Sequence, residues 1–195
     1  MSTPQSDQFC PAQELLDHGN QYKLILIVAS SGTGKTRLIQ QWVQKWEKTS
    51  QSLPIWIFID SRTNNFSEFL NKLTSEFIKW DPIFEAHVDE FMASVKGQFE
   101  NDSPDSEVIL GVQPQIENFV NQLLNGMMQL TGDRFIIILN YDLIRDQRIH
   151  SMIEYLIDYL PPNIHLIISS QDYPPLQIPR LRARRELLEI GSDDI

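Results

Sequence analysis

Apolar residues fall along this chain in two alternating patterns. Mostly apolar runs of strand length occur at Leu24–Val28, Pro54–Asp60, Phe135–Leu139 and Ile164–Ser170, the last with His165 inside it, and a short fifth at Leu187–Ile190. Between them, apolar residues recur every three or four positions. Leu38, Ile39, Trp42, Val43 and Trp46 share one helical face, as do Phe66, Phe69, Leu70, Leu73 and Phe77 in a helix expected to reach about Trp80. From Pro114 the period returns with Ile116, Phe119, Val120, Leu123, Leu124, Met127 and Met128. Ile149, Met152, Ile153, Leu156 and Leu160 form a last stripe, stopped by Pro161-Pro162. Pro11–His18 suits a short helix with Leu15-Leu16 inward. Strands alternating with helices predict an α/β fold: a three-layer sandwich around a central, mostly parallel five-stranded sheet. Pro54–Asp60 is apolar on both faces, so it is expected to be covered on both sides.

Two stretches are less legible. Residues 1–10 read as a polar tail before a domain spanning 11–195. Residues 81–111 are punctuated by Pro82, Gly97, Pro104 and Gly111 and are rich in acids, which suits a helix across Phe84–Phe99 followed by a flexible acidic loop.

The chemistry concentrates after the first apolar run. Ala29-Ser30-Ser31-Gly32-Thr33-Gly34 is a small-residue loop, and Lys35-Thr36-Arg37 opens the helix that follows. Strand, glycine-bearing loop, Lys-Thr and helix is the order of a P-loop. Gly32 and Gly34 let the backbone turn its N–H groups toward a phosphate, and the helix N-terminus adds partial positive charge. Lys35 would reach the β- and γ-phosphates, and the Thr36 hydroxyl would ligate Mg²⁺. Ala29 stands where the full G-x-x-x-x-G-K-[ST] pattern has its first glycine.

Such a site normally has a second apolar strand ending in an acid, to hold Mg²⁺ and polarise a water. Here the run ends Ile138-Leu139-Asn140-Tyr141-Asp142. Asn140 accepts hydrogen bonds but cannot act as a base. Asp142 is a surface or capping residue, or an acid on the metal side if the chain bends. Asp60 is the other carboxylate that the fold could bring to the phosphates, since ligands bind at the carboxyl ends of such strands. Gln171 follows the fourth run, where a polar γ-phosphate sensor is often kept. Binding is therefore better supported than hydrolysis.

Net charge narrows the partners. Twenty-six acidic against 16 basic residues give −10, which disfavours nucleic acid as a ligand of this domain. The one basic cluster is Arg180, Arg182, Arg184 and Arg185. A single cysteine, Cys10, excludes an internal disulfide framework. The four histidines lack metal-ligand spacing. No signal-peptide pattern and no run near the ~20 residues of a membrane span occur, so a cytoplasmic protein without membrane contact is expected.

These stretches resemble the nucleotide-binding domain of the STAND class of signal-transduction ATPases, in the branch of MalT and the large LuxR-type regulators. Residues 29–36 are similar to that branch's A-x-x-G-x-G-K-T loop, in which alanine is usual at the first position. Trp42 falls at the tryptophan of its P-loop helix. Trp56-Ile57-Phe58-Ile59-Asp60 with Asn64 and Phe69-Leu70 is similar to W-x-x-L-D … D-N-D … F-L. Tyr141-Asp142-Leu143-Ile144, His150, Leu160-Pro161-Pro162 and His165-Leu166 follow Y-H-x-I … I-H … L-P-P-x-x-H-L. Pro174-Pro175-Leu176 and Leu181-Arg182-Ala183-Arg184 match P-P-L … L-R-A-R. The resemblance implies a P-loop NTPase fold, ATP or ADP with Mg²⁺ as ligand, and a switch with a protein partner or self-association in a longer protein. In the family a helical lid and winged helix follow, and this chain ends where the lid is expected to begin. The family's paired acids align with Leu139 and Asn140, and its arginine after the fourth strand aligns with Gln171. Weak or absent hydrolysis is the expectation. The alternatives are an active ATPase using Asp142 or Asp60, and an interaction scaffold without nucleotide.

Overall fold

The computed structural model describes residues 11–50, 53–61, 63–80 and 106–195. The five apolar runs form strands β1 (Leu24–Val28), β2 (Ile55–Phe58), β3 (Arg134–Leu139), β4 (Ile164–Ser170) and β5 (Leu187–Ile190). Their order across the sheet is β2-β3-β4-β1-β5, and every neighbouring pair is parallel. The connections carry helices α1 (Pro11–Asp17), α2 (Lys35–Ser50), α3 (Phe66–Phe77), α4 (Ser106–Met127), α5 (Gln147–Tyr159) and α6 (Ile178–Ala183).

Alternation along each strand divides the core in two. Leu24, Leu26, Ile136, Ile138, Leu166 and Ile168 face a layer built from α3, α4, α5 and α6. Ile25, Ile27, Phe135, Ile137, Leu139, Ile167 and Ile190 face α1 and α2 on the other side. β4 is buried along its whole length, as expected for an inner strand of a parallel sheet covered on both faces. The helices start where side chains satisfy their first N–H groups. Asn65 Oδ1 accepts from Ser67 and Glu68 N–H ahead of α3, and Asp146 Oδ1 accepts from Arg148 N–H ahead of α5.

Three elements differ from the sequence reading. β2 is an edge strand whose second face is not closed: Ile55 and Ile57 are buried, Trp56 is half-buried and Phe58 is 47% exposed. The cluster under α1 and α2 takes residues of β1, β3, β4 and β5 and, at its margin, Trp56 of β2, on which the exposed Phe58 stacks. α4 begins at Ser106, inside the stretch expected to be loop, so Pro114 is an interior residue that costs one helical N–H rather than a start. α6 has no counterpart in the periodicity. It is under two turns long, with Pro179 in its first turn and Ile178 and Leu181 buried. The helix expected over Phe84–Phe99 lies outside the described residues.

Three of the four arginines of the basic cluster are in ion pairs. Arg180 and Arg184 both meet Asp158, the latter at 3.8 Å, and Arg182 meets Glu189 at 2.8 Å. Among the described residues no helix is long and apolar enough to cross a membrane, and no three His, Cys, Asp or Glu residues group as metal ligands.

Phe135 holds the α2 layer to the sheet. Its ring is edge-on to Trp42 at 4.7 Å and to Trp46 at 5.0 Å, and it touches His165, whose Nδ1 bonds the Tyr22 carbonyl at 2.8 Å. Replacing Phe135 with Ala should cost about 3–5 kcal/mol of unfolding free energy, measured by denaturant titration. A loss below about 1 kcal/mol would mean that the tryptophans close the cavity and the cluster is not rigid.

Candidate nucleotide site on the carboxyl rim of the sheet

Parallel strands end on a common rim, and each sequence-predicted site residue lies there. Ala29 follows β1, Gln171 follows β4, Asn140 follows β3 and Asp60 follows β2 by two residues. The rim is stitched by backbone bonds: Ala29 N–H donates to the Ser170 carbonyl at 3.3 Å, and Ile59 N–H to the Leu139 carbonyl at 3.0 Å. Strands stand about 4.8 Å apart, so β4 lies about 5 Å, β3 about 10 Å and β2 about 14 Å from β1.

The loop between β1 and α2 is exposed from Ser30 to Gly34, while Ala29 is buried beneath it. Gly32 and Gly34 have φ of 83° and 97°, backbone that L side chains rarely adopt. A Cβ would meet no atom within 4 Å at either glycine, so conformation and not crowding demands them. Ala29 is not among the residues of positive φ, so a methyl is tolerated where the full pattern has glycine. Thr33 Oγ1 donates to the Ser30 carbonyl at 3.0 Å, tightening the turn. Lys35 is the first residue of α2, and its ammonium folds back over the loop to the carbonyls of Ala29 and Ser30, the latter at 2.9 Å. Ser31, Thr36 and Arg37 are exposed at the same mouth. Loop N–H groups, a helix start and one ammonium over an open cradle are the donor set that a phosphate chain needs, and the exposed Thr36 hydroxyl can serve a hard cation.

The carboxylates are arranged differently. Asn140 sits in the left-handed region (φ 61°, ψ 40°) and its Nδ2 donates to the Ile59 carbonyl at 3.3 Å. Asp142 lies in the single 3₁₀ turn Tyr141–Leu143. Its Oδ1 accepts the Gln171 backbone N–H at 2.9 Å and its Oδ2 the Gln171 Nε2–H at 3.1 Å. Asp60 Oδ1 accepts from Thr63 N–H at 2.9 Å and Thr63 Oγ1 at 3.2 Å, within its own turn. The structure thus brings Asp142 to Gln171 and leaves Asp60 on the edge strand, three strand positions from β1.

A cleft of about 410 Å³ opens beside this pair, with Tyr141, Arg145, His150 and Tyr173 among its walls. Periodicity gave no sign of it, because its residues come from three separate segments. Tyr141 is 1% and His150 5% exposed, and the phenol oxygen lies 3.0 Å from His150 Nδ1. Burial, helped by the Glu154 charge, pushes the Tyr141 phenol far above its ordinary value. Burial also pushes the His150 imidazole below its ordinary value; the Arg145 charge adds to this, while Asp146 and a bond to the Ile144 backbone oppose it. Arg145 N–H donates to Asn64 Oδ1 at 2.6 Å, tying the β3 turn to the loop after β2.

Because His150 binds its proton less readily folded than unfolded, the unfolded chain takes up protons first on acidification. Its contribution is complete above the unfolded value near 6.5 and shrinks as pH falls toward the folded one. Stability measured by denaturant titration should therefore fall below pH ~6.5, and His150→Gln should flatten that part of the profile. An unchanged slope in the variant would assign the loss to other groups.

No family model matches the chain. Curated relatives do. It is 26% identical over 180 residues to the HTH-type transcriptional regulator MalT of Vibrio cholerae, covering 92% of this chain and 18% of that protein. To the regulator of the same name in Yersinia pestis it is 28% identical over 181 residues, with the same coverage. The chain thus spans about a fifth of the length of these relatives. Among solved structures it aligns with a STAND protein bearing a tetratricopeptide repeat sensor from Pyrococcus horikoshii, at 16% identity, TM-score 0.49, 97% of this chain and 24% of that one. It also aligns with Cdc6p of Pyrobaculum aerophilum at 13% identity, TM-score 0.49, 97% of this chain and 48% of that one. An all-parallel five-stranded sheet and a glycine loop running into Lys35 at a helix start thus accompany a similarity to MalT regulators that extends along 92% of the chain.

Proposed function

We propose that residues 11–195 act as an ATP- or ADP-binding switch module of a regulatory protein, with hydrolysis weak or absent. The conformation of the β1–α2 loop carries the reading: Gly32 and Gly34 at positive φ, and Lys35 poised over the loop. In this reading the N–H groups of residues 29–36 cradle the phosphates, Lys35 leaves the Ala29 and Ser30 carbonyls for them, and Arg37 and Gln171 lie at the margins. Bound through Thr36, Mg²⁺ would supply charge neutralisation to the phosphate chain.

Weak hydrolysis follows from the β3 end. Asn140 replaces an acid there, and both Asp142 oxygens are already engaged by Gln171. In this reading neither serves as the base for a water at the cradle. Nucleotide then acts by favouring one conformation of a longer protein, to the extent that it binds that conformation better. The relatives are transcriptional regulators, and we extend a regulatory role to this chain on that similarity. With a charge of −10 and with Arg180, Arg182 and Arg184 in ion pairs, the domain suits protein partners or self-association better than nucleic acid.

The test is thermal unfolding with ATP, ADP and GTP, with and without Mg²⁺, beside Lys35→Ala. Nucleotide at about 100 times its Kd should add ~2.7 kcal/mol, a rise of roughly 5–10 °C in a domain this size, and Lys35→Ala should remove the rise. No shift with any nucleotide at millimolar concentration would favour an interaction scaffold that keeps the fold alone.

A further inference from the structure

The cleft beside the β3 turn takes none of its walls from residues 29–37, so it is a site apart from the glycine loop. Its volume, about 410 Å³, is that of a small-molecule pocket. Two of its groups are already satisfied, since the Tyr141 hydroxyl and His150 Nδ1 are buried and bonded to each other. Two charged groups are not. Arg145 and Asp172 both line the cleft, yet they form no ion pair with each other or with any other described residue.

The Arg145 guanidinium is held in one orientation. Its Nη1 donates to the Asp142 carbonyl at 2.7 Å and to the Ile144 carbonyl at 3.3 Å, and its backbone N–H donates to Asn64. Both Nη1 hydrogens are thereby used, and the edge formed by Nε–H and Nη2–H is left open among the described residues. The same edge takes a carboxylate twice elsewhere in this chain. Arg148 grips Asp146 through Nε at 2.9 Å and Nη2 at 2.6 Å, and Arg182 grips Glu189 with both atoms at 2.9 Å. Arg145 has the fork without the acid. A guanidinium fixed beforehand loses little freedom when a ligand supplies that acid.

The segment after β4 supplies the other charge. Asp142 also lines the cleft, but its two oxygens are on Gln171, which leaves the Asp172 carboxylate as the open one. Asp172 is held by its own carbonyl, which accepts from the Ser170 hydroxyl at 2.5 Å, and Pro174-Pro175 stiffen the chain beyond. Tyr173 lines the cleft while 63% exposed, and its ring face suits an apolar or cationic group. We propose that this cleft binds a small zwitterion of the amino-acid class, with its carboxylate on the Arg145 fork, its ammonium at Asp172 and its side chain against Tyr173. A dicarboxylate would set its second charge among Asp142 and Asp172, and a simple amine would leave the fork empty.

Thermal unfolding of the whole chain without nucleotide, in the presence of each common L-amino acid at millimolar concentration, tests it. A ligand at about 100 times its Kd should raise the transition by several degrees, and calorimetry then gives its Kd. The amide of that amino acid lacks the carboxylate and its N-acetyl form lacks the ammonium, so each should bind at least about tenfold more weakly. Arg145→Gln and Arg145→Lys should both lose at least about tenfold, the second because an ammonium keeps the charge without the fork. Asp172→Asn should weaken the amino acid and leave the N-acetyl form unchanged, since that form has no charge for Asp172 to meet. Both side chains belong to exposed residues, so the unliganded variants should unfold close to the parent. None of these measurements uses nucleotide, so failure of the nucleotide reading would leave this one standing. No shift with any amino acid, equal binding of the amide, or tighter binding of succinate would each overturn the proposal, as would binding that survives both Arg145 substitutions.

Discussion

Parallel pairing is the constraint from which the rest follows. Parallel neighbours cannot be joined by a tight hairpin, so each connection must cross a face of the sheet, usually as a helix. Every strand then ends at the same rim, and every loop that follows a strand meets the others there. The crossovers also cover both faces, which is why β1, β3 and β4 are almost wholly buried while the edge strand β2 leaves Phe58 half exposed. The inner position of β1, between β4 and β5, seats the glycine loop next to the end of β4.

Once loops share a rim, short polar side chains decide how they are held. Asn64 links the β2 loop to the β3 turn, Asn140 links β3 back to Ile59, Asp142 links β3 to β4, and a backbone bond links β4 to β1. The phosphate loop is thus connected, one strand at a time, to the far edge of the sheet. This arrangement uses amides and one carboxylate where an efficient hydrolase needs an acid aimed at water. In the proposed reading, a binding role and poor turnover share a cause. Near the C-terminus, Asp158 and Glu189 pair with Arg180, Arg184 and Arg182 and offset much of the positive field that a nucleic-acid surface requires.

The legible parts of the fold were those that depend on neighbours in sequence. β4 and β5 could be read because their apolar runs are bounded by Pro161-Pro162, by Gln171-Asp172 and by Gly191, and α5 because Pro161 cannot continue a helix. The phosphate loop could be read because its parts, Gly32, Gly34, Lys35 and Thr36, are adjacent and each does a local job. α6 escaped because six residues give too little period to detect, and the true start of α4 escaped because a proline signals a boundary even where a helix runs through it.

Other features depend on which segments the fold places side by side. Whether β2 is inner or edge is set by strand order, and its own sequence, apolar on both faces, points the wrong way. Asp142 and Gln171 are separated by 29 residues, and neither residue type indicates the other. The cleft with Tyr141, His150 and Tyr173 is likewise a product of three segments meeting. By itself the sequence determined the strands, most helices and the glycine loop, because hydrophobic period and glycine conformation act over a few bonds. Only the tertiary structure decided which carboxylate is engaged, by what and on which strand, because those contacts exist only when parallel pairing brings distant loops within a hydrogen bond of each other.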